Sequence, residues 1–228
     1  MNRLKYKSKT KFMKLIFSSL FLGISLLFGC KESQNEAATA EVILKDPVQS
    51  VRNDGLQNAY FASGCFWCVE AIFESVSGVE EVVSGYSGGT VSHPTYRQVA
   101  NKITGHAETV EVQYDPNKVS FETLVKVFYG SHDPTTYGQS PDFGEPYRSV
   151  IFYQNNTEKQ IAENFKAEVQ KGYSKKVVTE IIPFEKFWPA EDYHQNYEKL
   201  NPNNPYVQRV SIPRLNRFKA KFTHLLKK

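Results

Sequence analysis

Cys65 and Cys68, in Gly64-Cys65-Phe66-Trp67-Cys68, open a stretch in which Val69, Ile72, Phe73 and Val76 recur at helical spacing. A thiol at a helix start meets unpaired backbone N–H groups and the positive end of the helix dipole, so Cys65 is expected to be more thiolate-like than a free cysteine. Cys68 falls one turn on, on the same face and within the Cα separation a disulfide needs. The pattern points to reversible thiol–disulfide chemistry. Zinc fits poorly, because no second C-x-x-C and no paired-histidine motif supplies the remaining ligands.

A second chemical group comes from Gly105-His106-Ala107-Glu108-Thr109-Val110-Glu111-Val112-Gln113-Tyr114. Strand alternation puts Glu108 on the face of Val110 and Val112, and Glu111 on the opposite face with Thr109 and Gln113. A desolvated glutamate keeps its proton toward neutral pH and suits general-acid work, whereas a solvated carboxylate at the strand end is the bland alternative. Tyr86, Tyr96, Tyr137 and Tyr147 fall in or beside expected loops, where a phenol can donate to a developing oxyanion without carrying charge.

The elements that must position these groups follow from periodicity and turn residues. Asn58 to Ser63 reads as a short strand broken by Gly64, and the helix from Cys65 runs to Val76. Further strands are expected over 80–86, 106–114, 147–153 and 176–184, and helices over 121–129, 157–171 and 191–197. Strands and helices alternate without a long parallel βαβ rhythm, which gives one two-layer α/β domain over about 58 to 213. Its long loops, around 86–105 and 131–146, are of a length usually kept for function. The last run, 214–228, places Leu215, Phe218, Phe222 and Leu225 on one helical face among basic residues. Such a helix packs on the domain or lies on a membrane.

The chain has 228 residues, 40% of them apolar, with 28 Lys plus Arg against 24 Asp plus Glu, a globular composition. Six of the cations, Arg3, Lys5, Lys7, Lys9, Lys11 and Lys14, precede the first apolar run, and no acid comes before residue 30. Without that segment 22 basic side chains face 24 acidic ones, net −2, which argues against a general nucleic-acid-binding surface. Leu15 to Phe28 is apolar but short for a bilayer span. Closed by Leu27-Phe28-Gly29-Cys30, residues 1–29 resemble a bacterial lipoprotein signal, with Cys30 acylated after cleavage. Phe28 departs from the smaller residue usual there, and an uncleaved anchor or ordinary secretory cleavage are the other readings. Each exports the domain; lipidation places it in the cell envelope, periplasmic or outer-membrane-associated in a bacterium. Residues 30–57 would then be a polar tether, about 30 Å end to end when relaxed and about 90 Å when stretched. Met1 and Met13 are the only methionines, and a start at Met13 would also leave a compact signal.

Gly64-Cys65-Phe66-Trp67-Cys68-Val69-Glu70, Pro94-Thr95-Tyr96, Thr104-Gly105-His106-Ala107-Glu108, Tyr147-Arg148-Ser149 and Glu191-Asp192-Tyr193-His194-Gln195-Asn196-Tyr197 together resemble the peptide methionine sulfoxide reductase A family. The resemblance covers about residues 58 to 213. It implies an α+β fold with a ferredoxin-like two-layer core and, as substrate, the S epimer of methionine sulfoxide, free or in proteins. By the same resemblance Cys65 is the nucleophile and Glu108 the proton donor to the sulfoxide oxygen. Tyr96 and Tyr147 hydrogen-bond that oxygen, Asp142 helps position the site, and Phe66 and Trp67 enclose the methyl group. Two departures stand out. Many members carry Gly where this chain has Cys68 and place resolving cysteines near the C-terminus, and Glu145-Pro146 replaces the pair common before this tyrosine.

Chemically, a sulfoxide is a poor electrophile until its oxygen is protonated, so a thiolate and a carboxylic acid must face it together. Attack by Cys65 would release methionine and leave a sulfenic acid. Cys68 would condense with it to a disulfide, which an external dithiol reduces. No metal and no organic cofactor is required, and a monomer is expected, reduced by a thioredoxin-like protein of its own compartment and repairing oxidised exported proteins. A thioredoxin-like oxidoreductase also uses C-x-x-C at a helix start, but it leaves Glu108 and the tyrosines without a role. A tethered binding protein with a static disulfide is the non-enzymatic rival.

Overall fold

The computed structural model describes residues 46–228. The expected signal segment, the acylation site Cys30 and most of the tether lie outside the described residues. The chain runs β1 (Gln57–Ala62), α1 (Phe66–Glu74), β2 (Val79–Ser87), α2 (Tyr96–Ala100), β3 (Ala107–Tyr114), α3 (Phe121–Gly130), β4 (Gly138–Gln139) and β5 (Asp142–Phe143). It continues through β6 (Val150–Tyr153), α4 (Asn156–Gln170), β7 (Glu180–Pro183), β8 (Phe187–Pro189), α5 (Tyr197–Leu200) and α6 (Ile212–Lys221).

Six strands form one sheet in the order β7-β6-β1-β3-β2-β8, antiparallel throughout except for the β6–β7 pair. The β1-α1-β2 unit leaves a gap that β3 fills, and β6 closes on the free side of β1. This is the split βαβ arrangement of ferredoxin-like folds, and it agrees with the α+β, ferredoxin-like expectation. Strict alternation assigns the two faces. Ala59, Phe61, Val110, Val112 and Ile151 point into the main core with Ile72 and Phe73 of α1 and Leu124 and Phe128 of α3. Tyr60, Ala62, Val150 and Phe152 point the other way, against Phe184 and Phe187. Phe61 stacks on Phe73 with centroids 5.0 Å apart and leans on Phe128 at 5.5 Å. Burying each such side chain contributes about 1.5–3 kcal/mol, so this aromatic cluster fixes how α1 lies across the sheet.

Several boundaries differ from the sequence reading, each for a local reason. The strand expected from Tyr147 starts at Val150, because Glu145–Tyr147, with Pro146 in its first turn, winds into a 3-10 turn. The strand expected over 176–184 is confined to β7. The helix expected over 191–197 is broken at Asn196, which takes a left-handed φ of 54° between a 3-10 turn at Asp192–His194 and α5. Neither long loop is bare: the first contains α2 and the second the β4–β5 hairpin.

The domain also reaches past both expected limits. Before β1, the Val48 N–H donates to Phe184 O and the Ser50 hydroxyl to Gln154 Oε1, so the last part of the expected tether lies along the sheet. Beyond residue 213, Phe218 and Phe222 enter the main core and Val76 bridges to Leu226. Of the two readings of that amphipathic run, packing on the domain is what its aromatic face does. Among the described residues no helix is long and apolar enough to cross a membrane.

Candidate active site

Gly64 turns the chain from β1 into α1 with φ +89°, a conformation that favours glycine. Its N–H donates to the Tyr147 carbonyl at 3.1 Å, which brings the Tyr147 segment to the cysteine turn. Cys65 is the N-cap of α1, and its carbonyl accepts the N–H groups of Cys68 (3.2 Å) and Val69 (3.3 Å). No side chain of the turn itself caps this helix. Instead Glu108, at the start of β3, accepts the Phe66 N–H at 3.0 Å. A carboxyl from a distant strand thus occupies the helix N-terminus beside the first cysteine.

Glu108 is 2% exposed and shares the core face with Val110 and Val112, as strand alternation requires. Burial pushes its pKa up to about 8 against the lowering effect of the Phe66 N–H, with the charges of Asp142 and Cys68 adding to the rise. At neutral pH it is a carboxylic acid with a proton to give. Glu111 lies on the other face, where its carboxylate accepts the Tyr60 hydroxyl at 2.7 Å and the Asn58 amide at 3.2 Å.

Both cysteines are free, buried thiols, and each shifts the acidity of the other. Burial pushes Cys65 well up, and the neighbouring Cys68 and Glu108 push it further. Cys68 moves the other way: its hydrogen bond with Cys65 brings it down against burial, helped by the Arg214 charge and by Ser211. This corrects the expectation of a thiolate-like Cys65. The helix N-terminus favours an anion, but here burial and the neighbouring Cys68 and Glu108 outweigh it.

Tyr96 and Tyr147 converge on the same point. Burial raises Tyr96 to about 12, and the charges of Glu108, Cys65 and Asp142 add to it. Tyr147 is raised by burial first and then by Glu108, Tyr96, Asp142 and Cys65. Both phenols therefore stay protonated donors at any ordinary pH. Asp142, raised by burial, accepts the hydroxyl of Tyr206, which also lies 3.9 Å from Cys68 Sγ. Phe66 packs between Tyr96, Tyr86 and His194, with centroids 6.5, 5.9 and 5.0 Å away. Trp67 stacks flat on Tyr197 at 3.7 Å and meets Tyr206 edge-on. Cys65, Cys68, Asp142, Tyr206 and Arg214 line one side of a cavity of about 440 Å³. A thiol pair, a neutral acid and two phenols in an aromatic wall can protonate an oxygen and attack the atom that bears it.

Comparison with known proteins agrees with this assembly. The model of the family described as peptide methionine sulfoxide reductase matches residues 57–226. The chain belongs to this family. It is 45% identical over 172 residues to the peptide methionine sulfoxide reductase MsrA of Pasteurella multocida, a match covering 75% of this chain and 99% of that protein. MsrA 1 of Rhodopirellula baltica is 46% identical over 174 residues, covering 76% of this chain and 91% of its own. Among solved structures, methionine sulfoxide reductase A of Corynebacterium diphtheriae superposes with a TM-score of 0.61 at 32% identity, over 69% of this chain and 83% of its own. Reduced Mxr1 of Saccharomyces cerevisiae gives a TM-score of 0.64 at 29% identity, over 71% and 94% respectively.

Within this member of the peptide methionine sulfoxide reductase family, the fold brings together Cys65, Cys68, Glu108, Tyr96, Tyr147, Asp142, Phe66 and Trp67. Tyr137 is left out, half-exposed at the hairpin, and the Tyr86 hydroxyl is spent on Glu191 at 2.9 Å. Sequence reasoning gave no role to Tyr206, Arg214, Glu191 or His194. Arg214 is buried and donates to Ser131 O (3.0 Å) and Ser63 O (2.9 Å), joining α6 to the end of α3 and to the turn just before Cys65. Glu191 also accepts the Tyr96 N–H at 2.9 Å and so anchors the start of α2. One local signal was present: Thr95 and Gln98 form a capping box, the Thr-x-x-Gln spacing that announces α2.

Proposed function

We propose that the chain is a peptide-methionine (S)-S-oxide reductase acting on the S epimer of methionine sulfoxide, free or in proteins. The observation that carries this reading is the Glu108 carboxyl, buried and neutral at the N-terminus of the helix that starts at Cys65. Glu108 protonates the sulfoxide oxygen while Tyr96 and Tyr147 donate to it and Asp142 positions the site. Once Glu108 has given up its proton, its carboxylate takes the Cys65 proton as Cys65 attacks the sulfoxide sulfur. The bond this attack makes between the two sulfurs breaks again as the oxygen passes to Cys65: the substrate S–O bond is lost, a Cys65 S–OH bond forms, and methionine leaves with its sulfur reduced by the two electrons that Cys65 loses. Phe66 and Trp67 enclose the methyl group. Cys68 then displaces the hydroxyl to give a disulfide, and a thioredoxin-like dithiol returns both thiols.

The residues before the described domain support an exported, lipid-anchored protein held at Cys30 in the cell envelope, repairing proteins oxidised there and drawing its reductant from the same compartment. In this organisation residues 1–29 are removed, Cys30 begins a tether, and the domain acts as a monomer. The decisive experiment is an assay of the purified domain on resolved epimers with dithiothreitol. Turnover of S and not R is expected; equal rates on both, or none on either, overturns the reading. Reduction of insulin disulfides without sulfoxide turnover would assign a thioredoxin-like oxidoreductase instead.

A further inference from the structure

Cys68 Sγ lies 2.9 Å from the hydroxyl of Ser211, a residue with no exposed surface in the π-helical turn Val207–Ser211 that leads into α6. Beyond Ser211 is Glu198 of α5, whose carboxyl feels both that hydroxyl and the Cys68 charge. One oxygen of Glu198, Oε2, is buried without a hydrogen-bond partner. The rest of the side chain lines a cleft of about 320 Å³, shared with Trp67, Glu70, Glu74, Tyr197 and Lys219. Cys68 thus has a hydroxyl in contact and, behind it, an unpartnered carboxylate oxygen.

We propose that Ser211 and Glu198 form a proton relay that deprotonates Cys68 when it attacks oxidised Cys65. This rests on the reductase reading, which supplies the Cys65 sulfenic acid. In the step, the Cys68 S–H bond breaks as its proton passes to Ser211 Oγ, and the Ser211 hydroxyl proton passes to Glu198. An S–S bond forms, the Cys65 S–O bond breaks, and hydroxide leaves as water on a proton drawn from solvent through Glu108. Formally the Cys68 sulfur gives up one electron and the Cys65 sulfur gains one, so both reach the disulfide level. Ser211, touching the reacting sulfur, is catalytic; Glu198, acting through it, is a positioning residue. Glu198 returns its proton to water through the cleft.

The relay answers a need created by the reaction. In the reduced pair the main influence holding Cys68 acidic is its hydrogen bond with Cys65. Oxidation of Cys65 removes that thiol, and Ser211 is the contact that remains at 2.9 Å, against 3.9 Å for the Tyr206 hydroxyl. Burial lifts Glu198 to about 7, Ser211 and Lys219 oppose the lift, and the charges of Cys68 and Glu74 reinforce it. Glu70 faces it too, from α1. A carboxyl that titrates near neutrality both accepts and releases a proton there.

The test is a single turnover on the S sulfoxide, without reductant, in which released methionine and lost thiols are both quantified. In Ser211→Ala and Glu198→Gln, disulfide formation is expected to slow roughly 10-fold or more relative to methionine release in the same sample. The wild-type rise of the disulfide step through about pH 7, as Glu198 ionises, should vanish from both variants. Ser211→Thr, which keeps a hydroxyl, should restore rate and profile, and Glu198→Leu repeats the test if the amide variant does not fold. Methionine release followed by thiol loss at the wild-type ratio and pH profile in the variants overturns the relay alone. No methionine from the wild type overturns the reductase reading and the relay with it.

Discussion

The Phe66 N–H donates to the Glu108 carboxyl across 3.0 Å, so a single hydrogen bond ties the acid of β3 to the helix turn that carries Cys65. Glutamine at 108 can still accept that N–H through its carbonyl but has no acidic proton, which separates geometry from chemistry. Glu108→Gln is expected to keep the fold and lower kcat/KM by roughly 10²-fold or more, as for loss of a positioned general acid. Glu111→Gln, on the opposite face with Tyr60 and Asn58, should leave the rate near wild type. Steady-state assays in which the two variants fall together would show that strand face does not decide the role.

The same carboxyl makes stability depend on pH. Its pKa is raised in the folded protein to about 8, chiefly by burial, from an ordinary 4.5. Across that window the folded state keeps a proton the unfolded chain has released. Its contribution to stability is therefore full below about pH 4.5 and is lost as pH rises through about 8. Glu108→Gln removes the effect. Melting curves should show the wild type losing ground to the variant with rising pH, by on the order of a few kcal/mol over the window. Glu70 and Glu198, each raised to about 7 chiefly by burial, titrate in both proteins and cancel. Parallel curves would mean that Glu108 is ionised in the folded state.

Cys65, Cys68 and Glu108 were legible in the sequence because local periodicity decides their positions: one helical turn separates the thiols, and alternation turns Glu108 inward. The ferredoxin-like core followed from the family resemblance, and the alternation of Phe61, Val110 and Val112 bears it out. Tyr206, Arg214 and Glu191 were not legible. Their places depend on how the segment after β8 wraps back over α1, through the left-handed Asn196 and the π-helical turn before α6, and no periodic signal encodes that path. The thiol acidity was misjudged for a related reason. A helix N-terminus is a local feature, whereas burial of Cys65 beside Glu108 is tertiary.

Anchoring makes a separate prediction, resting on Leu27-Phe28-Gly29-Cys30. Cys30→Ser should abolish acylation and release the protein from the membrane fraction. Mass spectrometry of the mature N-terminus reads the outcome directly: a diacyl or triacyl cysteine is expected, and an unmodified residue other than Cys30 at that end would sink the anchor. If translation starts at Met13, removing codons 1 to 12 with the ribosome site re-spaced should leave export unchanged.

Recycling follows from cysteine arithmetic joined to geometry. With Cys30 acylated, Cys65 and Cys68 are the only thiols left in the chain, and in the reduced state each already shifts the other's acidity. Cys65→Ser removes the attacking sulfur and should abolish reduction outright. Cys68→Ser keeps Cys65, Glu108 and both phenols, so it should release about one methionine per enzyme and then stall with a thioredoxin-like reductant, which needs a disulfide to attack. Small thiols should partly revive it by reacting with the sulfenic acid directly. The hydroxyl introduced by Cys68→Ser can still accept a hydrogen bond from Ser211 but offers no sulfur for the S–S bond, so the stall would report lost chemistry rather than lost packing. Pre-steady-state methionine release, followed by trapping of the sulfenic acid with a dimedone-type reagent, measures both halves. Full steady-state turnover of Cys68→Ser with the protein reductant would show that the oxidised Cys65 is resolved from outside the chain.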